Sequence, residues 1–232
     1  MSVTQIHLIG GEKGGVGKSM VARLLAQYFI DRSIAFSGFD ADRSHGALLR
    51  FYSRYAAPVL VDQYESLDAI VEAATSQPEQ RILVDLAAQT GEPLMRWMDE
   101  SQLLAVAPEL NLNIRYWHVM DSGRDSVELL RQLFERYQSR LNYIVVHNQL
   151  RGSHFRIFDE SGLVARAREY KAHLITIRRL HESTMIKIDA ASSSFGAAAR
   201  AEDQATGLGV LERQRLDTWL QSAYAAIASV DP

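Results

Sequence analysis

The sequence predicts an α/β chain, a three-layer sandwich in which a mainly parallel sheet carries helices on both faces. Three observations lead there. Short apolar runs alternate with longer stretches of helical periodicity along the chain, and such alternation means parallel strands joined by crossover helices. The runs are nearly continuous, as in Ile82-Leu83-Val84, which suits strands covered on both faces. A glycine-rich loop follows the first run and opens a helix, and in sheets of this kind ligands bind at the carboxyl ends of strands.

Residues 6–9 form the first strand, and the glycine loop follows directly. Residues 19–30 set Val21, Leu24, Leu25 and Phe29 at helical spacing. Residues 35–39 are a short strand ending at Asp40, 59–61 a further strand, and 67–74 a short helix. Residues 82–86 form a strand and 103–107 another. Then come a helix over 126–137, a strand over 143–146 and a last strand over 174–177. Residues 210–227 close the chain as a helix packed on the sheet, with Leu211, Leu216, Leu220, Tyr224 and Ile227 near one face. There is no internal repeat; residues 190–201, rich in Ala and Ser, are the nearest to a biased segment.

The 232 residues suit a single domain over 1–232, with a formal net charge of −3 and no cysteine. At 47% hydrophobic and 23% charged residues, the chain can bury a sizeable core, and disorder as its main state is excluded. Without cysteine, disulfides, thiolate metal sites and cysteine nucleophiles are excluded as well. No apolar run reaches the ~18 residues needed to span a bilayer. Residues 1–10 hold no basic leader before a long apolar stretch, so no signal peptide is expected and a cytoplasmic protein is. Whole-chain charge gives no argument for nucleic acid, yet basic residues outnumber acidic ones by about two to one between Arg131 and Lys187.

The informative segment is Gly10-Gly11-Glu12-Lys13-Gly14-Gly15-Val16-Gly17-Lys18-Ser19. Its glycines let the backbone approach an anion closely, and the amides freed in this way cradle phosphate. Lys18 adds a point charge near the β- and γ-phosphates, and Ser19 a hydroxyl for Mg²⁺ in the first helical turn, whose positive end also favours phosphate. Gly14, Gly15, Val16, Gly17, Lys18, Ser19 and Met20 are the expected nucleotide-binding stretch. The ordinary phosphate-loop pattern wants glycine where this chain has Glu12. What matches is Lys-Gly-Gly-x-Gly-Lys-Ser, the deviant Walker A pattern. On it the chain resembles the MinD/ParA family of P-loop ATPases, in the class that also holds the nitrogenase iron protein.

That resemblance implies a P-loop NTPase fold, ATP and Mg²⁺ as cofactors, and ATP hydrolysis at a weak intrinsic rate. It makes Lys13 the signature lysine, which reaches across a nucleotide-sandwich dimer to the partner's phosphates. The family's Asp-x-Asp corresponds to Asp40-Ala41-Asp42, where Asp42 would position or polarise the attacking water and Asp40 would hold the loop and a metal-bound water. Phosphoryl transfer needs positioning and charge compensation more than covalent chemistry. On the residues alone, both aspartates also read as turn or capping residues. Partition ATPases continue Asp-Pro-Gln here; this chain continues Arg43-Ser44-His45-Gly46. Ile82-Leu83-Val84-Asp85 is a Walker B pattern, in which Asp85 would hold a water on Mg²⁺. The usual Asp-x-Pro-Pro is replaced by Leu86-Ala87-Ala88-Gln89-Thr90-Gly91, and Gln89 either orients water or faces solvent. The expected catalytic set is Lys13, Lys18 and Asp42, and the expected metal set Ser19, Asp40, Asp42 and Asp85. Asn148, at the end of Val145-Val146-His147-Asn148, is expected on the adenine edge or as a turn residue, and His147 as structural.

Residues 111–123, with Ile114, Tyr116, Trp117 and Met120, read as a loop region used either for a partner surface or for core packing. Arg166, Arg168, Lys171, Arg178, Arg179 and Lys187 read either as one surface for non-specific DNA or as a solvated basic face. Residues 148–159, with Arg151, His154 and Arg156, read as a long loop. In the last helix Glu212 and Asp217 offset Arg213 and Arg215, so no membrane anchor of the MinD kind is evident. The resemblance thus implies an ATP-dependent switch: ATP drives homodimerisation, hydrolysis resets it, and a protein activator or cargo adaptor is the partner, in plasmid or DNA partitioning or cargo positioning. Beside it stand a conjugative-transfer accessory ATPase, a nucleotide-binding adaptor without hydrolysis, and a small biosynthetic enzyme of the CobQ/dethiobiotin-synthetase type, against which Lys13 argues.

Overall fold

A computed structural model of the chain describes residues 3–11, 13–43, 46–77, 79–200, 202 and 204–232. Glu12, Ser44 and His45, which carry two of the departures from the family pattern, lie outside the described residues, as do Met1, Ser2 and Ala201. In chain order the elements are β1 (Thr4–Gly10), α1 (Lys18–Asp31), β2 (Phe36–Asp40), α2 (Ala47–Phe51), β3 (Ala56–Pro58), α3 (Tyr64–Ser76), β4 (Arg81–Asp85), α4 (Gly91–Glu100), α5 (Leu103–Val106), β5 (Leu112–Met120), α6 (Arg124–Tyr137), β6 (Asn142–Asn148), α7 (Arg156–Glu160), α8 (Leu163–Glu169), β7 (His173–Ile177), α9 (Glu182–Ala190), α10 (Phe195–Ala199) and α11 (Val210–Ala228). The strands make one sheet in the order β3-β2-β4-β1-β5-β6-β7, and every pairing is parallel.

Successive strand residues point to opposite faces, so each strand feeds two apolar layers. Ile6, Leu8, Ile82, Val84, Ile114 and Tyr116 pack with the layer built from α3 to α8. Ile9, Leu83, Trp117, Ile144 and Val146 pack with α1, α2, α9, α10 and α11. This is the three-layer sandwich the sequence predicts. Helix α1 is buried nearly all round, from Met20 to Phe29, because α2, α10 and α11 cover the side that turns away from the sheet. Its Arg23 is buried among them, with the guanidinium 3.6 Å from the Phe51 ring centre and 4.4 Å from that of Phe195, and it pairs with Asp189 at 2.8 Å. Its Nε and Nη2 make no hydrogen bond among the described residues.

Several elements differ from expectation. Residues 103–107 are helical, not a strand: Leu103–Val106 is α5, a single turn capping the run from α4 into β5. The strand expected over 59–61 lies earlier, at Ala56–Pro58; the Val59 amide makes a last bond to the Asp40 carbonyl, and the chain then leaves the sheet. Residues 112–120 are a strand, not a loop region, and Ile114, Tyr116, Trp117 and Met120 are core. Polar residues conceal it: Arg115 is buried and bonds to Gln5 and to the Val230 and Asp231 carbonyls, while His118 Nε2 meets the Ser126 carbonyl at 2.9 Å. The long loop after β6 gives way to α7, and the Ala/Ser-rich segment contains α10. Helix α11 packs on the sheet from Leu216 onward, but Leu211, expected on that face, is exposed with Val210 in the first turn. No described helix is long and apolar enough to cross a membrane.

Candidate functional site

The carboxyl ends of β1, β2, β4, β5 and β6 converge on the glycine loop. Gly15 and Gly17 take φ of +75° and +94°, the left-handed region that glycine occupies without steric cost. Gly17 caps α1 and, as a glycine, offers the first turn no side-chain cap, so that turn's amides are left to the loop. Val16 and Met20 are buried beneath it, and a Cβ at Gly14 would meet nothing within 4 Å. Lys18 is nearly buried and donates from Nζ to the Lys13 carbonyl at 3.2 Å. The geometry leaves loop amides that could cradle an anion, with the lysine folded back onto the rim.

Asp40 and Asp85 are paired across neighbouring strands. Asp40 spends both oxygens on its own loop: Oδ1 accepts from the Asp42 amide at 3.0 Å and Oδ2 from the Leu49 amide at 3.2 Å. It ties the loop that carries Asp42 to the first turn of α2, and burial pushes its carboxyl up against those bonds. Asp85 is 1% exposed, and neither of its oxygens has a hydrogen bond of normal geometry among the described residues. Burial first, then the neighbouring Asp40, pushes its carboxyl up to about 7, while the Ser19 hydroxyl and Lys18 pull the other way. A buried carboxylate with unused oxygens, beside a hydroxyl and further carboxylates, fits a hard divalent cation such as Mg²⁺, which takes oxygen donors and keeps waters. Asp42 is half-buried. Gln89 is exposed at φ +62°.

Lys13 points along the rim, to residues that the sequence reading missed. Its Nζ lies 3.2 Å from Asp121 Oδ2 and 3.5 Å from Asp125 Oδ2. Asp121 follows β5 directly and is nearly buried; it accepts from the Ser126 hydroxyl at 2.7 Å and the Gly123 amide at 3.1 Å. Burial alone would raise its carboxyl, but the Ser126 and Gly123 bonds and Lys13 outweigh that and hold it below its ordinary range. A strand ending in Asp-Ser-Gly was the available signal, and it needed the strand to be seen first.

Asn148 is fully buried against the loop. Its Nδ2 donates to the Val16 carbonyl at 2.6 Å, and its Oδ1 accepts from the Leu150 amide at 3.3 Å. A Cβ at Gly17 would collide with Asn148 Nδ2, so glycine there also admits the close approach. This geometry braces the glycine loop. His147 stacks on Phe155 at 4.1 Å between ring centres. The basic residues read as one surface are divided: α8, with Arg166 and Arg168, packs in one helical layer, and α9, with Lys187, in the other. Lys187 is bound to Glu212 at 2.7 Å and Arg166 lies 3.5 Å from Glu135. Arg178 and Arg179 line a separate cavity of about 670 Å³ with His181, Arg215 and Trp219.

No family model matches the chain. Among solved structures it is similar to the MinD cell division protein of Aquifex aeolicus, with a TM-score of 0.54 and 14% identity over 94% of this chain and 97% of that one. A chain of the MinC:MinD cell division protein complex of the same organism gives a TM-score of 0.53 at 13% identity, covering 94% of this chain and 96% of that one. The fold is therefore that of MinD, a parallel sheet with helices on both faces, as expected. Among curated proteins the chain is 26% identical over 132 residues to protein MobD of Acidithiobacillus ferrooxidans, covering 56% of this chain and 57% of MobD. It is 22% identical over 228 residues to protein TraL of Escherichia coli, covering 92% and 93%. The chain thus matches little more than half the length of the first relative and nearly all of the second.

Proposed function

We propose that this chain, with the fold of MinD, is an ATP-dependent molecular switch: ATP binding promotes a homodimer, and hydrolysis resets it. The observation that supports this best is the second lysine of the loop. Lys18 lies within the cradle, whereas Lys13 stands at its rim, held by Asp121. A nucleotide pocket that worked alone needs only the first. Bringing two anionic nucleotides face to face is repulsive, and a cation supplied across the two-fold offsets that.

In this reading Gly14 to Met20 hold the phosphates, Ser19 and Asp85 hold Mg²⁺ with Asp42 nearby, and Asp42 orients the attacking water. Mg²⁺ supplies charge compensation on the phosphates. Asp40 anchors the loop bearing Asp42, and Asn148 braces the phosphate loop rather than reading the base. Likeness to MobD and TraL supports a partition, positioning or conjugation-related role, with a protein partner as cargo or activator; the divided basic surface lends no support to DNA as the ligand. Calorimetric titration with ATP and Mg²⁺ is the test. Lys18→Ala removes a charge-assisted contact worth roughly 1.5–3 kcal/mol, tenfold or more in affinity. Unchanged affinity would refute the phosphate-loop reading.

A further inference from the structure

The loop after β6 brings a further cation to the site. Arg151 is 54% exposed, and its guanidinium lies over the phosphate loop: a Cβ at Gly15 would fall 2.6 Å from Nη2. The arginine thus approaches loop backbone at a left-handed glycine. On its other side Nη1 is 3.8 Å from Asp121 Oδ2, at the limit of an ion pair, while Lys13 holds the same oxygen at 3.2 Å. Asp121 also accepts from Ser126 and Gly123, so its capacity is largely taken. It grips Lys13 and holds Arg151 loosely, and a half-exposed pair of that length costs little to break.

The backbone under Arg151 is fixed. Asn148 ties the start of this loop to the Val16 carbonyl and to the Leu150 amide, and a Cβ at Gly152 would stand 3.3 Å from Ser122 Oγ. A guanidinium on an anchored backbone, with a weak counter-ion, can turn without moving the fold. Its direction follows from Lys18, the residue that serves the β- and γ-phosphates in such loops. Lys18 Nζ rests on the Lys13 carbonyl, so the front of the loop, where Arg151 lies, is the terminal-phosphate side. The planar N–H fork of arginine matches phosphate oxygens better than an ammonium does.

We propose that Arg151 is a phosphate-contacting residue of this site, leaving Asp121 to donate to the terminal phosphate of a nucleoside triphosphate bound in the same chain. This rests on the phosphate-loop reading above and deepens it. It makes the site discriminate between triphosphate and diphosphate, because with ADP no terminal phosphate competes with Asp121 for the guanidinium.

The test is calorimetric titration of the full chain with ADP and with the non-hydrolysable analogue AMP-PNP, each with Mg²⁺, for the parent, Arg151→Ala, Arg151→Lys and Lys18→Ala. Arg151→Ala is expected to lose about tenfold or more in AMP-PNP affinity and to stay within about twofold for ADP. Arg151→Lys, which keeps the charge but not the fork, should fall between. Parental AMP-PNP affinity in Arg151→Ala, or an equal loss for both nucleotides, overturns the assignment. If Lys18→Ala loses binding while Arg151→Ala does not, Arg151 alone is wrong. If Lys18→Ala binds as the parent does, the phosphate-loop reading falls and takes this proposal with it.

Discussion

Replacing Asn148 by alanine removes the buried amide that joins the end of β6 to the phosphate loop. Two bonds go: a short one to the Val16 carbonyl at 2.6 Å and a longer one from the Leu150 amide at 3.3 Å. Leaving the buried Val16 carbonyl unsatisfied costs about 1–3 kcal/mol, and the second bond about 0.5–1 kcal/mol. The sum, about 2–4 kcal/mol, is large against a typical stability of about 5–15 kcal/mol. For a chain of this size it lowers Tm by roughly 5–15 °C. Thermal melting and parallel titrations with ATP and GTP are the assays. A brace predicts that both affinities fall together, since the loop backbone serves the phosphates of either nucleotide. An unchanged Tm, or a loss confined to ATP, would refute bracing and return Asn148 to the base. Asn148→Asp sharpens the test. Buried against a carbonyl, its carboxyl is pushed above the ordinary range; protonated, it donates to Val16 as the amide does. Stability should be near parental below about pH 4, the unfolded value, and be lost as pH rises through the folded pKa.

Asp85 gives a second pH test. Its folded pKa of about 7 lies above the unfolded 3.8, so the folded state binds the extra proton; stability is fully present below about pH 4 and declines up to about pH 7. Without Mg²⁺, Asp85→Asn should match the parent at pH 4 and exceed it at pH 8 by at most about 4 kcal/mol, and equal differences at both pH values in melting scans would contradict this. Lys13→Ala should keep ATP affinity within a few-fold of the parent yet abolish ATP-induced dimers in light scattering; dimers that persist would remove the signature role. Arg23→Met should cost less stability than Arg23→Ala: both remove the unpaired N–H groups, but only methionine still fills the space between Phe51 and Phe195. Calorimetric melting that ranks them the other way would show that filling the space between Phe51 and Phe195 does not stabilise the fold.

The strands that flank the site were legible because they are short apolar runs ending in chemistry: β1 runs into glycines, and β2 and β4 each into an aspartate. Run and ending reinforce one another. The strand β5 was not legible, because its two buried faces carry Arg115 and His118, one each, whose partners are the distant Val230 and Asp231 carbonyls and the Ser126 carbonyl. Long-range partners leave no mark on local periodicity. Missing β5 hid Asp121, and with it the counter-ion of Lys13. The run Leu103-Leu104-Ala105-Val106-Ala107 has the apolar content of a strand, and at that length periodicity does not separate strand from helix. Asn148 was found by position, but its partner Val16 lies 132 residues away, so its bracing geometry had no signature in the sequence.

The place of β1 in the sheet has a consequence for biosynthesis. Its ladders run to β4 and β5, whose first partners are Arg81 and Leu112. At roughly 5–20 residues per second, translation takes about 4–15 s to deliver β4 after β1, and longer for β5. Through that interval Ile6, Leu8 and Ile9 belong to a nascent strand with both edges open, the arrangement most prone to wrong pairing, and α1 is the first element made that can shelter it. A pause in translation before Arg81 therefore exposes this chain to aggregation in a way that a pause after Met120 does not.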